Sequence, residues 1–296
     1  MFGIVVEPAA EAGHSTPLRT SCALVDDPLP LAAQGFLYFY GVTNMKRFML
    51  IQHSYAEFLG MIEKQLESRN IGFQYQRPFL GSDLPASASQ HDALWLLGGA
   101  YPANDELACP WLPQERRLIA AFRKMGRPIV GIGFGALLLV GESGGEIVDE
   151  PYFNTYWTTC HSTEAGRDDP LARAVDGQTM LVMVNGNAVL PPGMSPLVVD
   201  DAGRWLAVRP DENSYAMLFR PELKPGMIED MMMEDSRPLP DDIGEILARA
   251  RAGWNNGQQV AAGICAALVS ALDLMTERRK MPVFSLNPVG EPHEGE

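Results

Sequence analysis

The segment with the most chemical promise is Gly131-Ile132-Gly133-Phe134-Gly135-Ala136-Leu137-Leu138-Leu139. It follows an apolar run of strand length and opens a stretch with helical spacing. Small residues on both sides of the tip suit a strand-turn-helix elbow, whose backbone is strained and closely packed. A glycine-rich turn of this kind could instead cradle a phosphate, but no Lys-Ser/Thr pair follows Gly135 and a full Gly-x-Gly-x-x-Gly is absent. A second candidate is Phe219-Arg220-Pro221-Glu222 at a strand end. Arg220 stays protonated at physiological pH and cannot serve as a general base. It either pairs with Glu222, which is the favoured reading, or receives an anion such as a carboxylate. Cys160-His161 is the one adjacent Cys/His pair, yet neighbours on an extended strand point to opposite faces and share a proton poorly. His53 and Ser54 follow a strand at the end where α/β sheets place ligands, with turn capping as the simpler role.

These groups need a scaffold, and the chain offers one. Arg47 to Gln52 reads as a strand, and Phe58, Met61, Ile62 and Leu66 as one face of the helix after it. Gly72 to Arg77 alternates as a second strand. Ala93 to Leu97 is a continuous apolar run of the kind buried in a parallel sheet, ending at Gly98-Gly99. Pro113 to Lys124 is amphipathic, with Leu118, Ile119 and Phe122 on one face and charges on the other, and Ile129 to Ile132 resumes as strand. Between Asn154 and Arg220, runs at 180–184, 197–199, 205–208 and 215–219 read as antiparallel strands added to the sheet. From Asp241 two helices follow, divided by Gly253 and the Asn255-Asn256-Gly257 turn signal. Met227, Met231, Met232 and Met233 read as helix-end core packing, and Trp111 and Trp254 as packing residues. The alternation predicts an α/β fold of three layers: a mostly parallel central sheet, helices on both faces, added antiparallel strands and C-terminal helices.

Composition narrows the functions. A formal charge of -14 in 296 residues repels phosphate backbones and excludes a simple nucleic-acid binder. No apolar run approaches the length of a bilayer span. The four cysteines, Cys22, Cys109, Cys160 and Cys265, are scattered, so neither a zinc site nor a disulfide framework is expected, and a cytoplasmic protein with reduced thiols is the simplest setting. No cofactor or metal is called for. Residues 1–44 read as a poorly ordered leader, with Met45 as an alternative start, and residues 281–296 as a flexible tail. The catalytic-type domain is expected over 45–235, with a helical extension packed on it over 236–280.

Gly-Ile-x-x-Gly-Ala-x-Leu-Leu resembles the nucleophile elbow of class I glutamine amidotransferases, a family with a flavodoxin-like fold. In that family the third position is the nucleophilic Cys, and here it is Gly133; the pocket Gln after Gly-Ala is replaced by Leu137. Leu96-Leu97-Gly98-Gly99 with Asn104-Asp105 is similar to the loop that completes the oxyanion hole. Asn185-Gly186-Asn187 before Leu190-Pro191-Pro192-Gly193 matches the region before the family's lid strands. Phe219-Arg220-Pro221-Glu222 looks like its Phe-His-Pro-Glu block, with Arg220 at the catalytic His and Glu222 keeping the orienting carboxylate. The resemblance runs from about Phe48 to Met275, closest to the stand-alone GMP-synthase-like branch.

The family's reaction is acyl transfer from glutamine through a thiolate, a His⁺ that protonates departing ammonia, and backbone amides that hold the oxyanion. With Gly133 and Arg220 in place of those side chains, the resemblance implies a pseudoenzyme whose degenerate triad positions are Gly133, Arg220 and Glu222. It implies ligand contacts at Gly98, Gly99, Ala100, Phe134, Leu137, Asn185, Asn187 and Arg220. It further implies a γ-glutamyl or carboxylate ligand and a glutamine-synthetase-like or ligase partner. Two rival readings are a hydrolase of glutamine or a γ-glutamyl amide, using a relocated nucleophile or an activated water near Glu222, and a small-molecule binding module in the empty elbow pocket.

Overall fold

The computed structural model describes residues 45–234 and 241–276, except for the side chains of 149–153. The leader, the tail and Cys22 lie outside the described residues, as do both ends of the expected extension.

Five strands form the parallel heart of the molecule: β1 (Lys46–Ile51), β2 (Ile71–Gln76), β3 (Ala93–Leu96), β4 (Ile129–Ile132) and β10 (Ser214–Met217). Their spatial order is β2-β1-β3-β4-β10. β1 pairs in parallel with both β2 and β3, and β4 with both β3 and β10. This is the 2-1-3-4-5 winding of doubly wound sheets, which opens a crevice at the carboxyl ends of the strands. β3 and β4 are buried along their whole length, as continuous apolar runs at the centre of a sheet must be. Beyond β10 the sheet continues antiparallel through β9 (Trp205–Val208), β8 (Val198–Val199) and β6 (His161–Ser162).

Three expectations change here. The 180–184 run does not join the main sheet: it belongs to β7 (Thr179–Val189), which pairs with β5 (Glu146–Thr159) as a separate antiparallel ribbon. A single antiparallel bridge, Val182 to Phe219, ties the ribbon to the end of β10. The 215–219 run supplies β10, which is parallel to β4 and antiparallel only to β9. The helix expected from Phe58 shrinks to α1 (Glu63–Glu67). Gly60 takes φ 48 and sits against the Glu222 carbonyl, which accepts from Met61 N at 2.9 Å, so the chain there is a packed turn.

The other helices are α2 (Leu112–Lys124), α3 (Phe134–Gly141), α4 (Pro170–Val175), α5 (Pro225–Glu234), α6 (Ile243–Ala252) and α7 (Trp254–Ala271). α3 is buried from Phe134 to Val140, matching its uniformly apolar sequence. Gly253 alone separates α6 from α7; Asn255-Asn256-Gly257 lies within the first turn of α7 and divides nothing. α7 buries Ile264, Cys265 and Leu268 in the main core. A second core forms where Leu181 and Met183 of β7 meet Leu223, Met227, Ile228 and Met231 near α5 and Ile246 of α6. Met227 and Met231 are core residues, whereas Met233 is 86% exposed. No described helix is long and apolar enough to cross a membrane.

Candidate functional site: a charged slot at the elbow

The elbow is present. Gly133 joins β4 to α3 with φ 55 and ψ -114, a conformation that residues with side chains rarely adopt. Its amide donates to Met217 O at 2.9 Å, and Gly135 N donates to Leu97 O at 3.1 Å, so the turn is bonded to strands on both sides. A Cβ on Gly133 would meet Arg220 Cδ and Nη1 at 3.4 Å. The absent side chain would therefore point at the guanidinium.

Arg220 is 3% exposed and each of its three guanidinium nitrogens makes a hydrogen bond. Nε donates to Glu222 Oε1 at 2.6 Å, Nη2 to Glu57 Oε1 at 3.1 Å, and Nη1 to the Met183 carbonyl of β7 at 2.8 Å. The pairing with Glu222 spans two residues because the chain turns at Pro221. Glu57, from the turn after β1, went unnoticed in the sequence; a glutamate among apolar residues reads as the wet side of a helix. Gly98 makes room for this arrangement. A methyl group there would lie within 2.6 Å of Arg220 Cζ and Glu57 Oε1.

A second buried pair adjoins the first. His53 Nε2 lies 3.0 Å from Glu115 Oε1, and its Nδ1 lies 2.8 Å from the Gly98 carbonyl, consistent with donation from both nitrogens. The ring packs on Phe134 at 4.4 Å between centroids. Capping a turn is thus not the role of His53. Glu115, read from its helix as a solvated charge, is fully buried in the first turn of α2.

Burial and the neighbouring charges pull in opposite directions on three groups of the cluster. Burial alone would lower the His53 pKa, but the Glu115 carboxylate more than reverses this and holds it above the ordinary histidine value. Burial raises the Glu57 carboxyl above the usual glutamate range, with Arg220 and His53 pulling the other way. Burial opposes the charge of Arg220, and Glu222 followed by Glu57 raises its pKa nonetheless. One oxygen on each of Glu57, Glu115 and Glu222 makes no hydrogen bond, so a further buried anion would be costly here.

The remaining sequence candidates divide. Gly99 packs against Phe134 and His53 beside the slot. Asn185 Nδ2 donates to the Ala100 carbonyl at 3.0 Å, tying the loop after β3 to β7. Leu137 is buried core, and Asn187 Oδ1 accepts from the amide of Ala188 at 2.7 Å. Cys160 is fully buried with its thiol pushed up to about 12 by burial, and His161 bonds Asp201 at 2.8 Å instead, so the pair is not assembled for catalysis. Cys109 and Cys265 are likewise buried, their thiols raised to about 12 and about 11. Among the described residues, no grouping of His, Cys, Asp and Glu has the form of a metal site.

No protein-family model and no curated protein sequence matches the chain. Solved structures do. A glutamine amidotransferase from Methylobacillus flagellatus superposes with a TM-score of 0.67 at 21% identity, covering 81% of this chain and 99% of that one. One from Thermotoga maritima gives 0.63 at 18% identity, covering 77% and 99%. At these identities the likeness is one of fold: the chain has the class I glutamine amidotransferase fold, with a mostly parallel sheet and an added antiparallel ribbon.

Proposed function

We propose that this protein is a catalytically silent relative of glutamine amidotransferases, acting as a ligand-binding or regulatory subunit. The observation that carries the reading is the Arg220 cluster. Where an amidotransferase needs a nucleophile facing a titratable base, this slot holds a glycine facing a permanently charged, doubly paired guanidinium. An attack on the γ-carbonyl of glutamine requires an electron pair on a side chain at position 133 and a group that can pass a proton to departing ammonia. Gly133 has no such atom, and Arg220 keeps its proton at physiological pH.

An activated water near Glu222 is disfavoured by the same contacts, since that carboxylate already accepts from Arg220. In this proposal Gly133, Arg220 and Glu222 are the degenerate catalytic positions, and Gly98, Gly99 and Phe134 frame the slot. Residues 45–235 carry the amidotransferase-like domain, and the helices after it form the extension. A ligase or glutamine-synthetase-like enzyme is the partner that a silent amidotransferase subunit would serve.

The test is release of ammonia or amine from glutamine and γ-glutamylanilide by purified protein, against a heat-killed control. No release above control is expected. Turnover that survives removal of trace contaminating enzymes would overturn the reading.

A further inference from the structure

A cavity of about 270 Å³ that shares Arg220 with the charged slot lies between β7, the Pro221–Pro225 segment and the helices α5, α6 and α7. It is just below the lower end of the size range of drug-sized ligand sites. Its walls are mostly apolar, with Met61, Met180, Leu223, Ile228 and the rings of Trp157 and Trp254 among them. Native interiors seldom leave space for more than a water. Here the space follows from the sequence at the α6–α7 junction. Gly253 and Gly257 face it without side chains, and a methyl group on Gly257 would meet only Met61 Cε, at 3.8 Å.

One cation lines this cavity with its charge uncompensated among the described residues. Arg249, exposed in the last turn of α6, sets its guanidinium 5.3 Å from the Trp157 ring centroid and has no carboxylate partner. The Trp157 ring is itself held to α6 by Nε1 donating to the Ile246 carbonyl at 3.4 Å. Stacking covers one face of a guanidinium and leaves its in-plane N–H donors free to take a carboxylate in bidentate fashion. The ends of α6 and α7 that meet at Gly253 carry opposing dipoles, so the charge at the rim is that of Arg249. Arg220 also lines the cavity, but its guanidinium is neutralised by Glu57 and Glu222.

We infer that this cavity binds a small organic carboxylate with an aromatic or branched apolar body, the body lying between Trp157 and Trp254 and the carboxylate on Arg249. The site shares Arg220 with the elbow slot, but its occupancy does not depend on whether the elbow is catalytically silent.

Calorimetric titration of the full chain with 4-phenylbutyrate, and with 4-phenyl-1-butanol as its uncharged counterpart, tests the assignment. Saturable binding of the acid is expected, with the alcohol weaker by roughly tenfold, the value of one charge-assisted contact. Arg249→Gln should bring the acid down to the affinity of the alcohol. Gly257→Trp should abolish binding of both by filling the space. Arg249 is exposed and a Cβ at Gly257 meets no backbone, so both variants should fold, as circular dichroism would verify. Absence of saturable binding by the wild type overturns the assignment. Binding unchanged in both variants overturns it as well. Equal affinities for acid and alcohol, insensitive to Arg249→Gln, would remove the carboxylate from it. The glutamine assay reads none of these outcomes, so either proposal can fail alone.

Discussion

Two arginines, Arg220 and Arg249, show how differently one side chain is used in two regions of this molecule. Arg220 is 3% exposed, holds two carboxylates and a carbonyl, and closes the place where an elbow enzyme would do its chemistry. Arg249 is exposed, rests on Trp157 and has no carboxylate partner among the described residues. A buried cation already paired with two carboxylates is structural, since a further anion would add an uncompensated charge to the interior. An exposed cation on an aromatic shelf keeps its hydrogen-bonding capacity for a ligand. The elbow slot is filled by the molecule's own side chains, while unfilled space lies under the C-terminal helices.

The largest effect should come from Arg220→Ala. Removing the cation leaves Glu57 and Glu222 buried and facing each other, and a loss of about 3–5 kcal/mol is expected in urea denaturation. The triple change Arg220→Met, Glu57→Gln, Glu222→Gln should recover most of that stability. If the single change cost under about 1 kcal/mol, the slot would be wet and the comparison would fail.

The two slot glycines should separate clash from strain. Gly98→Ala collides with Arg220 and Glu57 and should cost about 1–3 kcal/mol. Gly133→Ala has space at 3.4 Å but a backbone that disfavours a side chain, and should cost a similar ~1–3 kcal/mol. Pairing each with Arg220→Met tells them apart: only the Gly98→Ala penalty should shrink.

The pH dependence follows from the two raised pKa values. His53 binds its proton more tightly folded than unfolded, so its contribution is complete below the unfolded value near ~6.5 and is lost as pH rises through the folded value. Glu57, also raised, acts in the same direction from a lower starting point. The melting temperature should therefore fall as pH rises from about 6 to about 9. The double variant His53→Gln, Glu115→Gln should flatten that slope; an unchanged slope would place its origin elsewhere.

Arg249→Ala should be the mildest, within about 0.5 kcal/mol of wild type in thermal unfolding, as expected for an exposed group with no ion pair. A much larger loss would make Arg249 structural, like Arg220.

What the sequence by itself determined is the local pattern. A short apolar run bounded by turn residues, such as Ala93-Leu94-Trp95-Leu96, reads as a buried strand, and the small residues around Gly133 announce the elbow because strain at its tip is a local property. Arg220 beside Glu222 could be seen, being two residues apart. Tertiary structure alone decided the rest. Glu115 reads as a solvated charge and Glu57 carries no signal of its own, because their partners lie 62 and 163 residues away. β7 read as a strand but its assignment to a separate ribbon depends on what pairs with it, as strand sequences specify burial more firmly than neighbours. The cavity was invisible as well, because Gly253, Gly257, Trp157 and Arg249 acquire meaning only once α6 and α7 fold back over β7.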